Sequence, residues 1–133
     1  MKLSNQLGEL GRLQEVLESL PETMDLPPTL VMPLNLAMEE AFTNIVNYAF
    51  DDDNPHTIEV SITKHERELV ISIVDDGRPY NPTLKEDPDI DLPVEDRKIG
   101  GLGIFLIKKI MDDVAYRREN EKNILMLTKK LTQ

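Results

Sequence analysis

This chain of 133 residues contains no cysteine and no tryptophan, and only 5% of its residues are aromatic. The absence of cysteine excludes disulfide bonds, thiolate zinc sites and cysteine nucleophiles, and it suits a reducing compartment such as the cytoplasm. No apolar run approaches the ~18 residues that cross a bilayer, and we recognise no secretory signal, so we expect no membrane association. The length predicts one compact domain over residues 1–133.

Acidic residues outnumber cationic ones. The chain has 15 Lys and Arg residues against 25 Asp and Glu residues, which gives a formal net charge of −10. A protein this acidic is repelled by phosphate backbones and by anionic membrane surfaces, so we expect no direct nucleic-acid partner. It can still bind a nucleotide if N–H donors and a few cations lie at the right place.

The first half of the chain is predicted to contain two helices. Leucines at helical spacing predict an amphipathic helix over residues 6–20, ended by Pro21. A longer helix over about residues 29–49 follows, and residues 33–49 are its best-defined part because Pro33 falls within the first turns. The apolar face of that helix must pack on a sheet.

The second half is predicted to consist mainly of strands. Apolar and polar residues alternate around 58–62 and around 69–73, as in two half-buried strands joined by a hairpin turn at 64–67. Several prolines and many acidic residues without a period predict a long surface loop over 77–99, and loops of that length are usually functional lids or disordered segments. A helix from Gly103 to about Asp112 and two closing strands, at 114–118 and 123–130, complete the domain.

A glycine-rich run precedes the last predicted helix. Residues 100–103 read Gly-Gly-Leu-Gly and contain three of the chain's six glycines. Glycines at a helix start let the backbone N–H groups approach an anion, and the helix dipole favours negative charge there. A tight turn into a buried helix would give the same pattern, so the run alone leaves both interpretations open.

Two polar residues on the second predicted helix form another candidate site. Glu40 and Asn44 lie one turn apart, so a carboxylate and an amide project towards the same place. The carboxylate can act as a general base, and an amide oxygen is a hard ligand suited to Mg²⁺ beside phosphates. The alternative is a solvated polar face with no ligand.

A third candidate lies where the second predicted strand ends. Asp75 leaves an apolar strand and can accept a hydrogen bond from an exocyclic amino group such as that of adenine, and Gly77 would let a flat base approach the backbone. The alternative is a strand that ends in an ordinary Asp-Gly turn.

Together and in this order, the three motifs resemble the GHKL (Bergerat-fold) ATP-binding family, and within it the anti-sigma-factor serine/threonine kinases. The resemblance covers nearly the whole chain. Its residues are Glu39-Glu40-Ala41-Phe42-Thr43-Asn44 with Asn47-Tyr48-Ala49-Phe50, then Asp75-Asp76-Gly77-Arg78-Pro79-Tyr80-Asn81-Pro82, and Gly100-Gly101-Leu102-Gly103-Ile104 through Met111-Asp112. It implies an α/β (α+β) two-layer sandwich, with a mixed, mainly antiparallel sheet of four to five strands covered on one face by about three helices.

The sequence departs from the general family pattern after Gly77. Most GHKL proteins have a second glycine two residues later, whereas Pro79 stands here, which fits the anti-sigma kinase group. Tyr80 and Asn81 replace the Phe and Asp that are more frequent in that group. None of these changes removes a group that phosphoryl transfer needs.

The resemblance implies a role for each matching residue. Asn44 resembles the residue that holds Mg²⁺ against the three phosphates, and Glu40 resembles the carboxylate that activates the attacking hydroxyl. Asp75 resembles the adenine-recognition carboxylate, with Gly77 beside it. The remaining implied nucleotide contacts are the phosphate cradle at Gly101, Leu102 and Gly103, a water-ordering Asn47, and a hydroxyl at Thr128 near the adenine. Residues 80–99 would form an ATP lid, and Arg97 and Lys98 at its end would offset phosphate charge or be solvated.

The resemblance implies a cytoplasmic, bacterial Mg²⁺-ATP-dependent serine/threonine kinase that acts as an anti-sigma factor. Its substrate would be a STAS-domain anti-anti-sigma protein and its competing partner a sigma factor. A homodimer is common in that group, although the N-terminal strand is compressed here to Lys2–Asn5. Three alternatives stay open: an ATP-binding regulatory module without phosphotransfer, the ATP-binding half of a sensor histidine kinase, and a non-catalytic domain. No helical hairpin with a phosphoacceptor histidine is apparent, and His56 and His65 are expected to be ordinary surface residues.

Overall fold

The computed structural model describes residues 1–84 and 101–131. The strands are β1 (Lys2–Ser4), β2 (Thr57–His65), β3 (Glu68–Asp75), β4 (Asp113–Glu119) and β5 (Lys122–Lys130). The α-helices are α1 (Leu10–Thr23), α2 (Val31–Tyr48) and α3 (Gly101–Ile110), and short 3₁₀ turns occupy Leu7–Glu9, Pro28–Leu30 and Pro82–Leu84.

The five strands form one sheet in the order β1-β2-β3-β5-β4, and each of its four neighbouring pairs is antiparallel. The predicted α+β sandwich is therefore confirmed, with three helices and a five-stranded sheet. The register between β3 and β5 places Asp75, at the end of one strand, opposite Asn123, at the start of the other. This edge of the sheet carries one end of the candidate site.

Helix α2 forms the centre of the helical layer because it packs against both α1 and α3. Its apolar face is buried as the periodicity predicts, and the Phe42 side chain is completely enclosed. The buried residues of that face are Ala37, Met38, Ala41, Phe42, Ile45 and Ala49. Since α3 lies along one flank of α2, the polar residues on that flank meet the start of α3.

Helix α1 differs from the prediction at both ends. The segment begins with a 3₁₀ turn, the α-helix starts only at Leu10, and it runs through Pro21 to Thr23. Pro21 removes its own N–H donor and its ring crowds the carbonyl four residues before it, yet the Met24 N–H still donates to the Leu20 carbonyl oxygen at 2.9 Å, so one more turn closes beyond Pro21. Leu7, expected on the apolar face, is 47% exposed.

The β4–β5 hairpin fixes the register at the candidate site. Its two turn residues, Asn120 and Glu121, both have positive φ angles, 52° and 63°, as in the type I′ turns that suit the twist of two-residue hairpins. This turn sets Arg118 directly opposite Asn123. Within residues 1–84 and 101–131, no helix is long and apolar enough to span a membrane.

Candidate functional site

The start of α3 lies directly against Glu40 and Asn44. A Cβ atom built on Gly103 would lie 2.8 Å from Glu40 Oε2 and 3.2 Å from Asn44 Nδ2. Both distances are shorter than normal van der Waals contacts, so any side chain at this position would displace its neighbours. The structure thus brings residues from two of the sequence motifs together, and it explains on steric grounds why residue 103 is glycine.

Asn44 is buried, with 7% of its surface exposed, and its Nδ2 has no hydrogen-bond partner in the part of the chain that the structure describes. A buried amide donor without a partner lowers the stability of the fold by about 1–3 kcal/mol, so such groups usually bind a ligand or a water molecule. A phosphate oxygen would accept from Nδ2, and a half-turn of the amide would present Oδ1 to a cation instead. These properties fit a residue that holds Mg²⁺ and phosphate.

Acidic metal sites of the usual kind are absent from the described ranges. Within 1–84 and 101–131 no group of three or more His, Cys, Asp or Glu side chains could hold a metal ion. A Mg²⁺ ion at Asn44 would therefore depend on phosphate oxygens and water for its other ligands, as Mg²⁺ commonly does in nucleotide sites.

Glu40 is half-buried beside this amide. Burial raises the pKa of its carboxyl group above the usual value, and the negative charge of neighbouring Glu39 raises it further. A carboxylate with a raised pKa is a better proton acceptor near neutral pH, which is the property that a general base requires. Asn47, further along the same helix, is exposed.

Asp75 is the buried carboxylate at the sheet edge, with only 3% of its surface exposed. Its Oδ1 accepts hydrogen bonds from the Gly77 backbone N–H and from Asn123 Nδ2, both at 2.9 Å. Burial raises the pKa of Asp75, while these two hydrogen bonds and the charge of Arg118 act in the opposite direction. The carboxylate is therefore rigidly held.

Gly77 has a packing reason for being glycine that the motif did not indicate. A Cβ atom on Gly77 would collide with the Ala49 carbonyl oxygen and lie 2.9 Å from Ala49 Cβ, and the Arg78 N–H donates to that same carbonyl at 2.8 Å. The turn after β3 is thereby locked to the end of α2. The expected contact of Gly77 with a base stays a prediction.

Asn123 joins the site, although the sequence analysis did not select it. Its Nδ2 donates to Asp75 and to the Arg78 carbonyl, and its Oδ1 accepts from the Tyr116 hydroxyl at 2.5 Å and from Arg118 Nη1 at 3.1 Å. The alternation of β5 could have indicated this position. Asn123 lies two and four residues before the buried Leu125 and Leu127, so it faces the same, core side of the sheet.

Thr128 does not belong to this site, which corrects the expectation of a hydroxyl there. It lies five residues beyond Asn123 on β5, opposite Val70 and Asp113. An odd separation places it on the other face of the sheet, and five residues of strand amount to about 17 Å. The β5 residue that contacts Asp75 is Asn123.

The described part of the predicted lid covers residues 80–84, and this part is anchored. The Tyr80 N–H donates to Asn123 Oδ1 at 3.3 Å, and Lys108 Nζ on α3 donates to the Thr83 carbonyl oxygen at 3.4 Å. Gly101 and Leu102 are the first residues of α3. Arg97, Lys98, Gly100 and the rest of the lid lie outside the described residues.

His56 is not the ordinary surface residue that was expected. Its Nε2 lies 2.8 Å from Asp52 Oδ1, its Nδ1 lies 3.1 Å from Asp76 Oδ1, and its ring stacks on Phe50. The hydrogen bond to Asp52 is the main cause that raises the pKa of His56. His56 therefore links the loop between α2 and β2 to Asp76, the residue directly after Asp75. His65 is exposed, as expected.

Comparison with known proteins gives one family and a set of named relatives. The family model described as "Histidine kinase-like ATPase domain" matches residues 3–129. The serine/threonine-protein kinase BtrW of Bordetella bronchiseptica is 34% identical over 95 residues, which cover 71% of this chain and 67% of that protein. The serine-protein kinase RsbW of Oceanobacillus iheyensis is 28% identical over 130 residues, which cover 95% of this chain and 82% of the relative.

Solved structures agree on the fold. The catalytic domain of the histidine kinase ThkA matches with a TM-score of 0.58 at 17% identity, covering 99% of this chain and 97% of that domain. The histidine kinase domain of the blue-light activated kinase of Erythrobacter litoralis matches with a TM-score of 0.59 at 16% identity, covering 94% and 60% respectively.

Proposed function

The chain belongs to the family of histidine kinase-like ATPase domains, and on that basis we propose that it is a Mg²⁺-ATP-dependent serine/threonine protein kinase. The observation that carries the proposal is the meeting of three groups at one point: the glycine start of α3, the Glu40 carboxylate and the Asn44 amide, whose Nδ2 has no partner among the described residues. Phosphoryl transfer requires little more than positioning, charge neutralisation and a proton acceptor. In this proposal the backbone N–H groups and a Mg²⁺ held by Asn44 would neutralise charge, and Glu40 would accept the proton.

The nucleotide would lie between α2, the start of α3 and the end of β3. Asp75 would accept a hydrogen bond from the adenine amino group, with Gly77 beside the base. The backbone N–H groups of Gly101, Leu102 and Gly103 would bind phosphate oxygens, because the first N–H groups of a helix have no partner within it. In the same proposal Arg97 and Lys98 offset phosphate charge and Asn47 orders water.

Bound Mg²⁺ would neutralise charge on the phosphates. Asn44 would hold the ion through its amide oxygen. Glu40 would accept the proton of the serine hydroxyl as its oxygen forms a bond to the γ-phosphorus and the bond from that phosphorus to the bridging oxygen of ADP breaks. The raised pKa of Glu40 suits this step, because a stronger base draws the proton more readily.

The partners follow from the resemblance to anti-sigma-factor kinases and from relatives that are named as serine-protein kinases. We propose a STAS-domain anti-anti-sigma protein as the substrate, a sigma factor as a competing partner, and a homodimer as the assembly. Such partners would place the protein in the cytoplasm. An ATP-binding regulator without phosphotransfer is the alternative that the experiment must separate from the kinase.

The test uses ATP labelled on the γ-phosphate, Mg²⁺ and a panel of candidate STAS proteins. We expect label on a partner serine with the wild type, loss of label with Asn44→Ala, and no loss with Asn54→Ala, a matched change in an exposed loop. Binding of ATP without label on any STAS protein would refute the kinase assignment and favour the regulatory module. Failure of the wild type to bind ATP would refute the nucleotide site itself.

A further inference from the structure

Asn123 is a buried side chain that connects three separate segments of the chain. It is 3% exposed, and it links the end of β3, the backbone of residues 78–80, and the side chains of Tyr116 and Arg118 on β4. A buried amide with partners on both atoms is strongly oriented, since each lost partner would leave an unsatisfied polar group.

The contacts of Asn123 fix which of its two amide atoms faces Asp75. Its Oδ1 accepts from three donors, namely the Tyr116 hydroxyl, Arg118 Nη1 and the Tyr80 N–H. A flipped amide would point its NH₂ group at Arg118 Nη1 and the Tyr80 N–H, which can only donate, and its oxygen at a carboxylate, so it would be repulsive on both sides. The NH₂ group therefore has to face Asp75 Oδ1.

This orientation determines what Asp75 can offer to a ligand. Oδ1 of Asp75 accepts from the Asn123 amide and from the Gly77 N–H, so within the described part of the chain Oδ2 is the oxygen left for a base. Both donors stabilise the ionised carboxylate, and an ionised carboxylate can only accept hydrogen bonds. A protonated carboxyl group could also donate one, and would then tolerate a carbonyl oxygen at the same place.

We propose that Asn123 is a positioning residue that sets base specificity: by donating to Asp75 it keeps that carboxylate an acceptor, so the site selects a base with a 6-amino group over one with a 6-oxo group. This inference rests on the proposed nucleotide site. ATP and ITP are the suitable pair of probes because they differ at position 6 of the purine and share the same triphosphate.

The test measures the dissociation constants of ATP and ITP for the full chain between about pH 6 and 8.5. The wild type should prefer ATP by a ratio that changes little with pH. Burial and the charge of Asp76 raise the pKa of Asp75, and Asn123→Ala removes one of the two hydrogen bonds that act against them, so the pKa of Asp75 should rise further. We expect the ATP preference to fall by about tenfold or more, and to recover in part as the pH rises.

Two further variants separate positioning from a merely structural role. Asn123→Thr keeps a hydroxyl donor near Asp75 and should give an intermediate ATP/ITP ratio, and it serves as the test if Asn123→Ala does not fold. Asn54→Ala, in an exposed loop outside this hydrogen-bond network, is the control and should leave the ratio within about threefold. If both Asn123 variants weaken ATP and ITP equally, with no pH dependence, the inference is overturned. Loss of all ATP binding by the wild type would instead refute the proposed function.

Discussion

Gly103→Ala should separate catalysis from folding in this protein. The added methyl group would start 2.8 Å from Glu40 Oε2 and 3.2 Å from Asn44 Nδ2. Comfortable contacts lie near ~3.5 Å, so the Glu40 carboxylate has to retreat by roughly 0.7 Å. Glu40 Oε2 is the end of a flexible, half-buried side chain, and it can move without disturbing the core.

Gly103→Ala should change the free energy of unfolding only slightly but lower the phosphotransfer rate substantially. Inside a helix, Gly→Ala gains up to about 1 kcal/mol of stability from backbone entropy, and this gain offsets the small cost of moving Glu40. Displacement of a catalytic group by roughly 1 Å can cost about 10²-fold in rate. We therefore expect a free energy of unfolding within about 1 kcal/mol of the wild type and a phosphotransfer rate lower by about 10- to 100-fold.

The assays are urea unfolding and single-turnover transfer from labelled ATP. Gly11→Ala is the matched control, because a Cβ atom there would meet nothing within 4 Å, and it should match the wild-type rate. A Gly103→Ala variant that transfers phosphate at the wild-type rate would show that the contact between α3 and Glu40 is irrelevant to the chemistry. A variant that fails to fold would show that the contact is structural.

Three further predictions concern stability. Gly77→Ala should lower the free energy of unfolding by about 2 kcal/mol or more in urea denaturation, because the new methyl group meets the rigid Ala49 carbonyl. His56→Gln should flatten the pH dependence of Tm. The hydrogen bond to Asp52 raises the pKa of His56, so protonated His56 stabilises the folded state fully below the unfolded-state pKa of about 6.5, and this stabilisation is lost as the pH rises through the pKa of the folded protein. A wild-type advantage that persists unchanged at about pH 9 would contradict this. Phe42→Ala should cost about 3–5 kcal/mol because that ring is completely buried, and a cost below about 1 kcal/mol would contradict the packing.

Local periodicity predicted the helices and strands that depend on burial of one face. The apolar stripe of α2 and the alternation in β2 and β3 are direct consequences of packing on a sheet, so they can be read from nearby residues. The extension of α1 past Pro21 does not follow from local pattern, because proline usually ends a helix by losing a donor and crowding a carbonyl, yet the residues after Pro21 still close a turn.

Contacts that depend on strand register could not be read from local patterns. The resemblance points to Thr128, and Asn123 cannot be predicted locally, because the pairing of β3 with β5 decides which residue of the last strand meets Asp75, and 48 residues separate Asp75 from Asn123. The partners of His56 are equally hard to predict, because Asp52 lies four residues away in an irregular loop without a period and Asp76 lies 20 residues away on the other side of the β2–β3 hairpin. The three-motif resemblance succeeded where single motifs were ambiguous, because it carries such long-range information.

The most direct test of the central claim compares Glu40→Gln with the wild type in both ATP binding and single-turnover phosphotransfer to a STAS protein that accepts label. The proposed mechanism predicts an ATP dissociation constant within about threefold of the wild type and a transfer rate lower by about 10²- to 10⁴-fold, as expected for loss of a general base. The exposed Glu18→Gln change on α1 is the matched control and should stay within about twofold in rate. Transfer by Glu40→Gln at the wild-type rate would contradict the account.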